Sequence, residues 1–333
     1  NDGVFSDLRN LKYLYLDSND LYTIESNVFD GCPSLQVLTL KNNQLNVIRT
    51  SWLKGKTSLK ILELQNNKIK KIETNAFSEL ENLLELDISN NQIHNIPENL
   101  FQNLKSLRNL KVDHFTLCCY AKQANPSLSC VSKTAGLSSC DELLKNAVLK
   151  YSMWTLGLMA FLGNLVVIIW RSVSRDHNRV SSFLLVNLAI ADLLMGVYML
   201  IIAYKDRQWD GVYFKHDISW RASDLCIFAG VLSTISSEVS VLTLTVITLE
   251  RLICIVFQFK LQRWSVKDAA RIMSAIWVLV LIISLIPLFG DSYFYDYQNN
   301  VHFFGKSAVC LPFQLSAEHR PGWEYSVFVF LVL

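Results

Sequence analysis

Five leucines fall at an interval of 24 residues: Leu11, Leu35, Leu59, Leu83 and Leu107. Two further series keep that interval, Leu14, Leu38, Leu62, Leu86, Leu110 and Leu16, Leu40, Leu64, Ile88, Val112. Asn19, Asn43, Asn67 and Asn91 follow in register, then Leu21, Leu45, Ile69, Ile93 and Ile24, Ile48, Ile72, Ile96. Phe5, Phe29, Leu53, Phe77 and Phe101 complete the unit. One such unit cannot bury its own apolar face, so successive units must stack into a solenoid. Each contributes a short strand to a parallel sheet, and the Asn at the turn bonds exposed backbone groups, one above another.

The pattern L-x-x-L-x-L-x-x-N-x-L is the leucine-rich repeat, and the expected fold is an α/β solenoid over residues 1–117. Phe5 and Leu8 read as the back half of an earlier unit with no cap before them, so the ectodomain is expected to continue upstream. Cys32 falls where Leu8, Leu80 and Leu104 sit and reads as a small buried hydrophobe. Side chains alternate along a strand, so Tyr15, Thr39, Glu63, Asp87 and Lys111 form one outward column on the concave face. Glu63 and Asp87 then lie side by side, with Glu85 nearby. These three are either an acidic contact for a basic ligand or a solvated face neutralised by Lys41 and Lys111.

The remainder of the chain is of another kind. Over the whole chain, charged residues make up 18% and hydrophobic ones 51%. Soluble globular domains carry roughly a quarter charged residues, so part of this chain belongs in lipid. Apolar segments run over 151–170, 180–204, 225–259 and 272–289, and a fifth begins at 323–333. About 20 such residues cross ~30 Å of hydrocarbon. Arg171, Arg175 and Arg179 crowd one short loop, and Lys260, Arg263, Lys267 and Arg271 crowd another. The positive-inside rule puts these loops in the cytoplasm and the solenoid outside. Lys205, Arg207, Lys215 and Arg221 in the second loop are matched by Asp206, Asp210, Asp217 and Asp224. A net charge of +2 is too mild for a nucleic-acid partner.

Between the two regions lies a hinge, residues 118–147, with Cys118, Cys119, Cys130 and Cys140 clustered around Pro126. Two disulfides are expected outside the cell, and three pairings are open. Zinc is disfavoured, because no C-x-x-C and no partnering histidine occurs. Asp141 to Leu144 read as the first turn of a short helix capped by Ser139. Ionisable and polar groups inside spans are functional candidates. Asn164 sits in a Gly-Asn-Leu-Val-Val stretch, Asp192 in Asn187-Leu-Ala-Ile-Ala-Asp192-Leu-Leu, and Glu238 and Ser240 in the third span. Glu250, Arg251 and Leu252 close that span, and Trp277 and Pro287 punctuate the fourth.

This set of residues, in this order and spacing, resembles the rhodopsin-like seven-span G-protein-coupled receptors over residues 151–333. With the solenoid and the cysteine hinge it is similar to the leucine-rich-repeat receptors for protein hormones. Leu194-Met-Gly-Val-Tyr198 and Gly305-Lys-Ser-Ala-Val-Cys310-Leu-Pro312 point to the relaxin-type branch. Val246-Ile-Thr-Leu-Glu-Arg251 and the paired Cys118-Cys119 point to the glycoprotein-hormone type; the relaxin type is preferred. The resemblance implies an all-α seven-span bundle over 148–333, truncated in its fifth helix, and a Cys226–Cys310 bridge. It implies that Arg251 meets the G protein and is held by Glu250 at rest, and Leu252 departs from the usual aromatic residue, which loosens that lock. Asp192, Asn164 and Ser240 would form the family's sodium-holding cluster, the sodium being the only ion expected and no other cofactor. Glu238 either stabilises the active bundle or bonds a neighbouring helix.

The implied activity is capture of a relaxin- or insulin-like peptide, or a related protein hormone, at the plasma membrane. Activation of a heterotrimeric G protein follows, stimulatory and working through cyclic AMP. An enzyme is not expected: the six histidines (His94, His114, His177, His216, His302, His319) form no pair at metal-ligand spacing. Gly305-Lys-Ser307 mimics the end of a phosphate loop, but Asn300 stands where its first glycine belongs. The rivals are a repeat-bearing adhesion protein on a passive anchor and a ligand-binding decoy, neither of which would need Asp192 or Arg251.

Overall fold

The computed structural model describes residues 4–93, 96–97, 99–132, 138–174, 178–256, 264–289, 291–295, 301–312 and 322–329. Of the residues singled out above, His94, Arg175, His177, Lys260, Arg263, Asn300 and His319 lie outside that set, as do 257–259 and 330–333. The chain divides into two compact units, Asn1–Ala135 and Gly136–Leu333.

In chain order the first unit comprises β1 (Tyr13–Tyr15), β2 (Val37–Thr39), β3 (Val47–Ile48), α1 (Thr50–Leu53), β4 (Ile61–Glu63), β5 (Lys71–Ile72), β6 (Glu85–Asp87), β7 (Asn109–Val112), α2 (Phe115–Ala124) and β8 (Ser129–Ser132). Six strands form one parallel sheet in the order β1-β2-β4-β6-β7-β8, and β3 pairs with β5 in a second. The register steps by one repeat from β1 to β7: Leu14 faces Leu38, Leu38 faces Leu62, Leu62 faces Leu86 and Leu86 faces Leu110. Leu38, Leu62, Leu86 and Leu110 are buried together with Phe29, Phe77 and Phe101 in one continuous core. A buried leucine contributes roughly 1.5–3 kcal/mol, realised only because the next coil covers it.

Two side-chain ladders run along the turns. Asn43, Asn67 and Asn91 each donate to carbonyls of their own coil and the preceding one, as Asn67 does to Leu64 at 3.0 Å and Leu40 at 2.9 Å. Their Oδ1 atoms accept from Leu21, Leu45 and Ile69 amides. The preceding residues Asn42, Asn66 and Asn90 are left-handed, with φ of 57°, 58° and 54°, a conformation asparagine tolerates better than most residues. Their amides stack as well, Asn66 onto Asn42 and Asn90 onto Asn66. Cys32 is a buried free thiol beside Phe5, and burial pushes its pKa up, consistent with a packing role.

The hinge departs from the sequence reading in two places. β8 adds to the repeat sheet beside β7, Leu110 facing Cys130, so residues up to 132 continue the solenoid rather than leaving it. No helix forms at Asp141–Leu144. Ser139 instead closes a tight turn, its hydroxyl accepting from the Glu142 amide at 3.0 Å. Leu143 and Leu144 are buried, and the demand for that burial outweighs local helix propensity.

The second unit contains α3 (Ala147–Val173), α4 (Arg179–Gln208), α5 (Tyr213–Arg221), α6 (Asp224–Val256), α7 (Val266–Phe289), α8 (Asp291–Phe294), a 3-10 turn (Phe303–Lys306) and α9 (Trp323–Val327). α3, α4, α6 and α7 are long and apolar enough to cross a membrane. Asn146 and Asn178 cap α3 and α4, accepting from the Val148 and Ser181 amides. α4 is the central helix, packed against α3, α6 and α7. Met159, Val166 and Val173 on α3 are strongly exposed, apolar surface suited to lipid and not to water. The fifth apolar segment is helical over α9.

Candidate functional site

The second unit gathers its polar side chains at three depths. At one end of α6, Glu250 is buried while the Arg251 side chain is 54% exposed, and Arg251 Nε lies 3.5 Å from Glu250 Oε2. Arg251 Nη2 donates to Ser181 Oγ on α4 at 2.8 Å. Cys254 Sγ, one turn further along, donates to Glu250 Oε1 at 3.6 Å. Leu252 is exposed and makes no polar contribution.

Halfway along, Ser240 Oγ donates to Asp192 Oδ1 at 2.7 Å, joining α6 to α4. Ser236 donates to the Ala191 carbonyl, and Trp277 Nε1 on α7 to Asn187 Oδ1 at 3.1 Å. The Asn164 amide donates to the Ala160 carbonyl of its own helix. Asp192 and Ser240 are hard oxygen donors of the kind a small monovalent cation takes. Among the described residues no cluster of three or more His, Cys, Asp or Glu forms a metal site. Glu238 is buried in α6.

The opposite end is a packed lid. Cys226 is bonded to Cys310, and the loop is held on either side of that bridge. Tyr198 of α4 donates to the Val309 carbonyl at 2.9 Å and Trp220 of α5 to the Ala308 carbonyl at 2.7 Å. Phe303 and Phe304 are fully buried and pack with Ile283, Phe294 and Tyr325. Glycines make room for them: a Cβ on Gly230 would lie 2.3 Å from the Phe304 ring.

Beside this lid is a charged network; the sequence reading took Asp206, Asp210, Asp217 and Arg221 as part of a charge balance and did not join Lys150 or Glu142 to them. Asp206 is fully buried near the end of α4. Its Oδ1 accepts from the Leu144 amide at 2.9 Å, and its Oδ2 lies 3.6 Å from Lys150 Nζ. Lys150 also reaches Glu142 at 2.8 Å and Asp210 at 3.6 Å. The amides of Gly211 and Phe214 donate to the Asp141 and Cys140 carbonyls. Asp217, also buried, accepts from the Tyr213 hydroxyl and pairs with Arg221 at 2.9 Å. Burial, with Asp217 beside it, raises the Tyr213 pKa far above the usual phenol range, so that group stays a donor. The single available signal was the run of four aspartates in a short loop.

In the first unit Glu63 and Asp87 do stand side by side on β4 and β6. Lys41 meets Glu63 at 3.1 Å and Asp17 at 3.6 Å, Lys111 meets Asp87 at 3.6 Å, and Glu85 accepts from Asn109. Lys41 and Lys111 thus offset part of the negative charge of this exposed column. The Lys41 pKa is raised by its hydrogen bond and attraction to Glu63. Exposed Tyr13 and Tyr15 continue the same face. Cys118 is bonded to Cys130, tying α2 to β8, and Cys119 and Cys140 are disulfide-bonded too.

Residues 163–333 match the 7 transmembrane receptor (rhodopsin family), and residues 1–119 match six copies of a BspA type Leucine rich repeat region. The chain is 49% identical over 224 residues to "G-protein coupled receptor GRL101" of Lymnaea stagnalis, a match covering 67% of this chain and 19% of that one. It is 34% identical over 218 residues to Relaxin receptor 1 of Mus musculus, covering 65% and 28%. It is 34% identical over 209 residues to the Thyrotropin receptor of Felis catus, covering 62% and 26%. The matched segments thus span between 19% and 28% of those relatives' lengths.

Proposed function

The chain belongs to the rhodopsin family of seven-transmembrane receptors, and on that premise we propose that it captures a relaxin- or insulin-like peptide hormone and activates a heterotrimeric G protein. It is a leucine-rich-repeat receptor in the plasma membrane, multi-pass, with the repeat region outside. The observation that carries the proposal is the pairing of costly intramembrane polar groups across helices. Ser240 bonds Asp192 between α6 and α4, and Arg251 bonds Ser181 between the same two helices. A passive anchor has no use for such groups; a bundle with two arrangements does.

In this reading the hormone meets the concave sheet, and the relay into the bundle runs through residues 138–146, which are hydrogen-bonded to the loop after α4. Ligand must prefer the active arrangement to shift the population towards it. Arg251 then leaves Glu250 and turns to the G protein. Asp192 and Ser240 would hold a sodium ion at rest, stabilising the inactive arrangement. A stimulatory G protein raising cyclic AMP is the coupling proposed, and relaxin-type recognition is preferred to glycoprotein-hormone recognition.

The test is nucleotide exchange in membranes carrying the full-length receptor. Arg251→Ala should lower hormone-stimulated exchange about tenfold or more with binding intact. A wild-type receptor silent towards every heterotrimer in the presence of bound hormone would retire the receptor reading. The ligand surface has its own test. Simultaneous Glu63→Lys, Glu85→Lys and Asp87→Lys should weaken a basic peptide about tenfold, mainly through slower association. Unchanged affinity in a binding assay would move the contact elsewhere on the sheet.

A further inference from the structure

On the outward face of the repeat sheet four side chains stand in a square. Thr39 and Lys41 lie two residues apart on one coil, and Glu63 and Gln65 hold the same positions on the next. Thr39 faces Glu63 in register, and the Asn42 amide donating to the Gln65 carbonyl at 3.1 Å carries the ladder past Lys41. One diagonal of the square is the Lys41–Glu63 ion pair at 3.1 Å. The other two corners are unmet: Thr39 Oγ1 and Gln65 Oε1 are buried and have no hydrogen-bond partner among the described residues. Thr39 is only 3% exposed although its side chain belongs to the outward row, so its neighbours on that face cover it. We propose that Lys41 is a resident competitor in the ligand surface, a side chain that a ligand cation must displace from Glu63 before it can bind. This deepens the hormone-capture reading above and rests on it.

Three features make the displacement favourable. A buried oxygen that meets no donor is costly, and the Lys41–Glu63 pair leaves two of them unmet. Both partners of that pair are partly exposed, so water weakens their attraction. Lys41 also has a second partner to turn to, since Asp17 Oδ2 lies 3.6 Å from its Nζ and Asp17 Oδ1 is fixed by the Lys41 amide at 3.1 Å. The same geometry selects the incoming group. An ammonium would repeat the bonds of Lys41 and gain nothing. A guanidinium presents five N–H donors in one plane, enough for the Glu63 carboxylate and the two unmet oxygens together. Tyr15, paired with Thr39 from the preceding strand and strongly exposed, adds an aromatic ring beside the square, a surface on which guanidinium groups stack.

The probes are two synthetic peptides of equal charge, tetra-arginine amide and tetra-lysine amide, titrated onto the purified full-length receptor. The arginine peptide should bind about tenfold more tightly than the lysine peptide. Lys41→Met keeps the apolar stem, removes the competitor and should tighten both peptides about tenfold. The double variant Thr39→Val, Gln65→Leu removes the unmet oxygens and should abolish the preference for arginine. Its thermal midpoint should hold or rise, because two buried polar groups without partners are gone. That opposite sign separates lost binding from lost folding. Unchanged or weaker binding in Lys41→Met overturns the competitor. A preference for arginine that survives in the double variant overturns the role of the two oxygens. Nucleotide exchange is measured separately and decides the receptor reading; its failure leaves the peptide titrations free to support or overturn the displacement.

Discussion

Replacing Gly305 with alanine is expected to leave almost no folded receptor at the cell surface. The residue lies in the 3-10 turn Phe303–Lys306, where an added Cβ would stand 2.0 Å from the Arg221 carbonyl oxygen and 2.9 Å from its carbon. Both are backbone atoms, so no side-chain rotamer can relieve the clash, and one segment must retreat by about 1 Å. Neither is free to do so. Arg221 ends α5, whose Trp220 donates to the Ala308 carbonyl and whose Asp217 holds Tyr213 and Arg221. The turn itself is fastened by the Cys226–Cys310 bridge and by Tyr198, and anchored by the fully buried Phe303 and Phe304. Overpacking a well-filled site costs about 1–3 kcal/mol, occasionally more, and here both walls are stiff. Against a total stability of about 5–15 kcal/mol, surface abundance should fall at least tenfold. Surface labelling and thermal melting of the purified protein read this directly. Gly163→Ala serves as the comparison, since nothing lies within 4 Å of a Cβ there. If the two variants behaved alike, the packing described for the lid would be wrong.

Loss of the Asp206 carboxylate should have the next largest effect. Asp206→Ala strands the Leu144 amide, which it accepts at 2.9 Å, and removes the buried partner of Lys150. Breaking a buried pair on one side typically costs about 3–5 kcal/mol. Lys150 retains Glu142 and Asp210, so the lower end of that range is expected. Asp206→Asn keeps an acceptor for Leu144 and should lose roughly half as much. The damage should be local first: amide hydrogen exchange at Leu143 and Leu144 should accelerate before the bundle melts. If residues 138–146 relay the hormone signal, stimulated nucleotide exchange should fall in the same variant with hormone binding retained. Unaltered exchange protection at Leu144 would show that Asp206 does not hold that segment.

Much of this protein was legible along the chain, and for a definable reason. The interval of 24 residues yields the strand register, the buried leucine rows and the ladder of Asn43, Asn67 and Asn91, because a solenoid's long-range contacts are the same contact made once per repeat. The spans were legible because lipid demands a long uninterrupted apolar run, though their ends moved: α7 begins at Val266 rather than 272 and α3 at Ala147 rather than 151. Glu63 and Asp87 came out as neighbours, while the partial offset of their charge depended on where the lysines of adjacent strands reached.

The sequence by itself determined the stacked repeats, the membrane spans and the positions of the polar residues along them. Each of those follows from a periodic or extended pattern that a single stretch of chain carries. Tertiary structure alone decided that β8 extends the sheet, that Leu143 and Leu144 are buried in a turn instead of a helix, and that Asp206 caps an amide 62 residues away. It alone placed Ser181 against Arg251, 70 residues apart. Contacts of that kind occur once, between side chains with no spacing rule relating them, and they exist only after helix packing has fixed which groups meet.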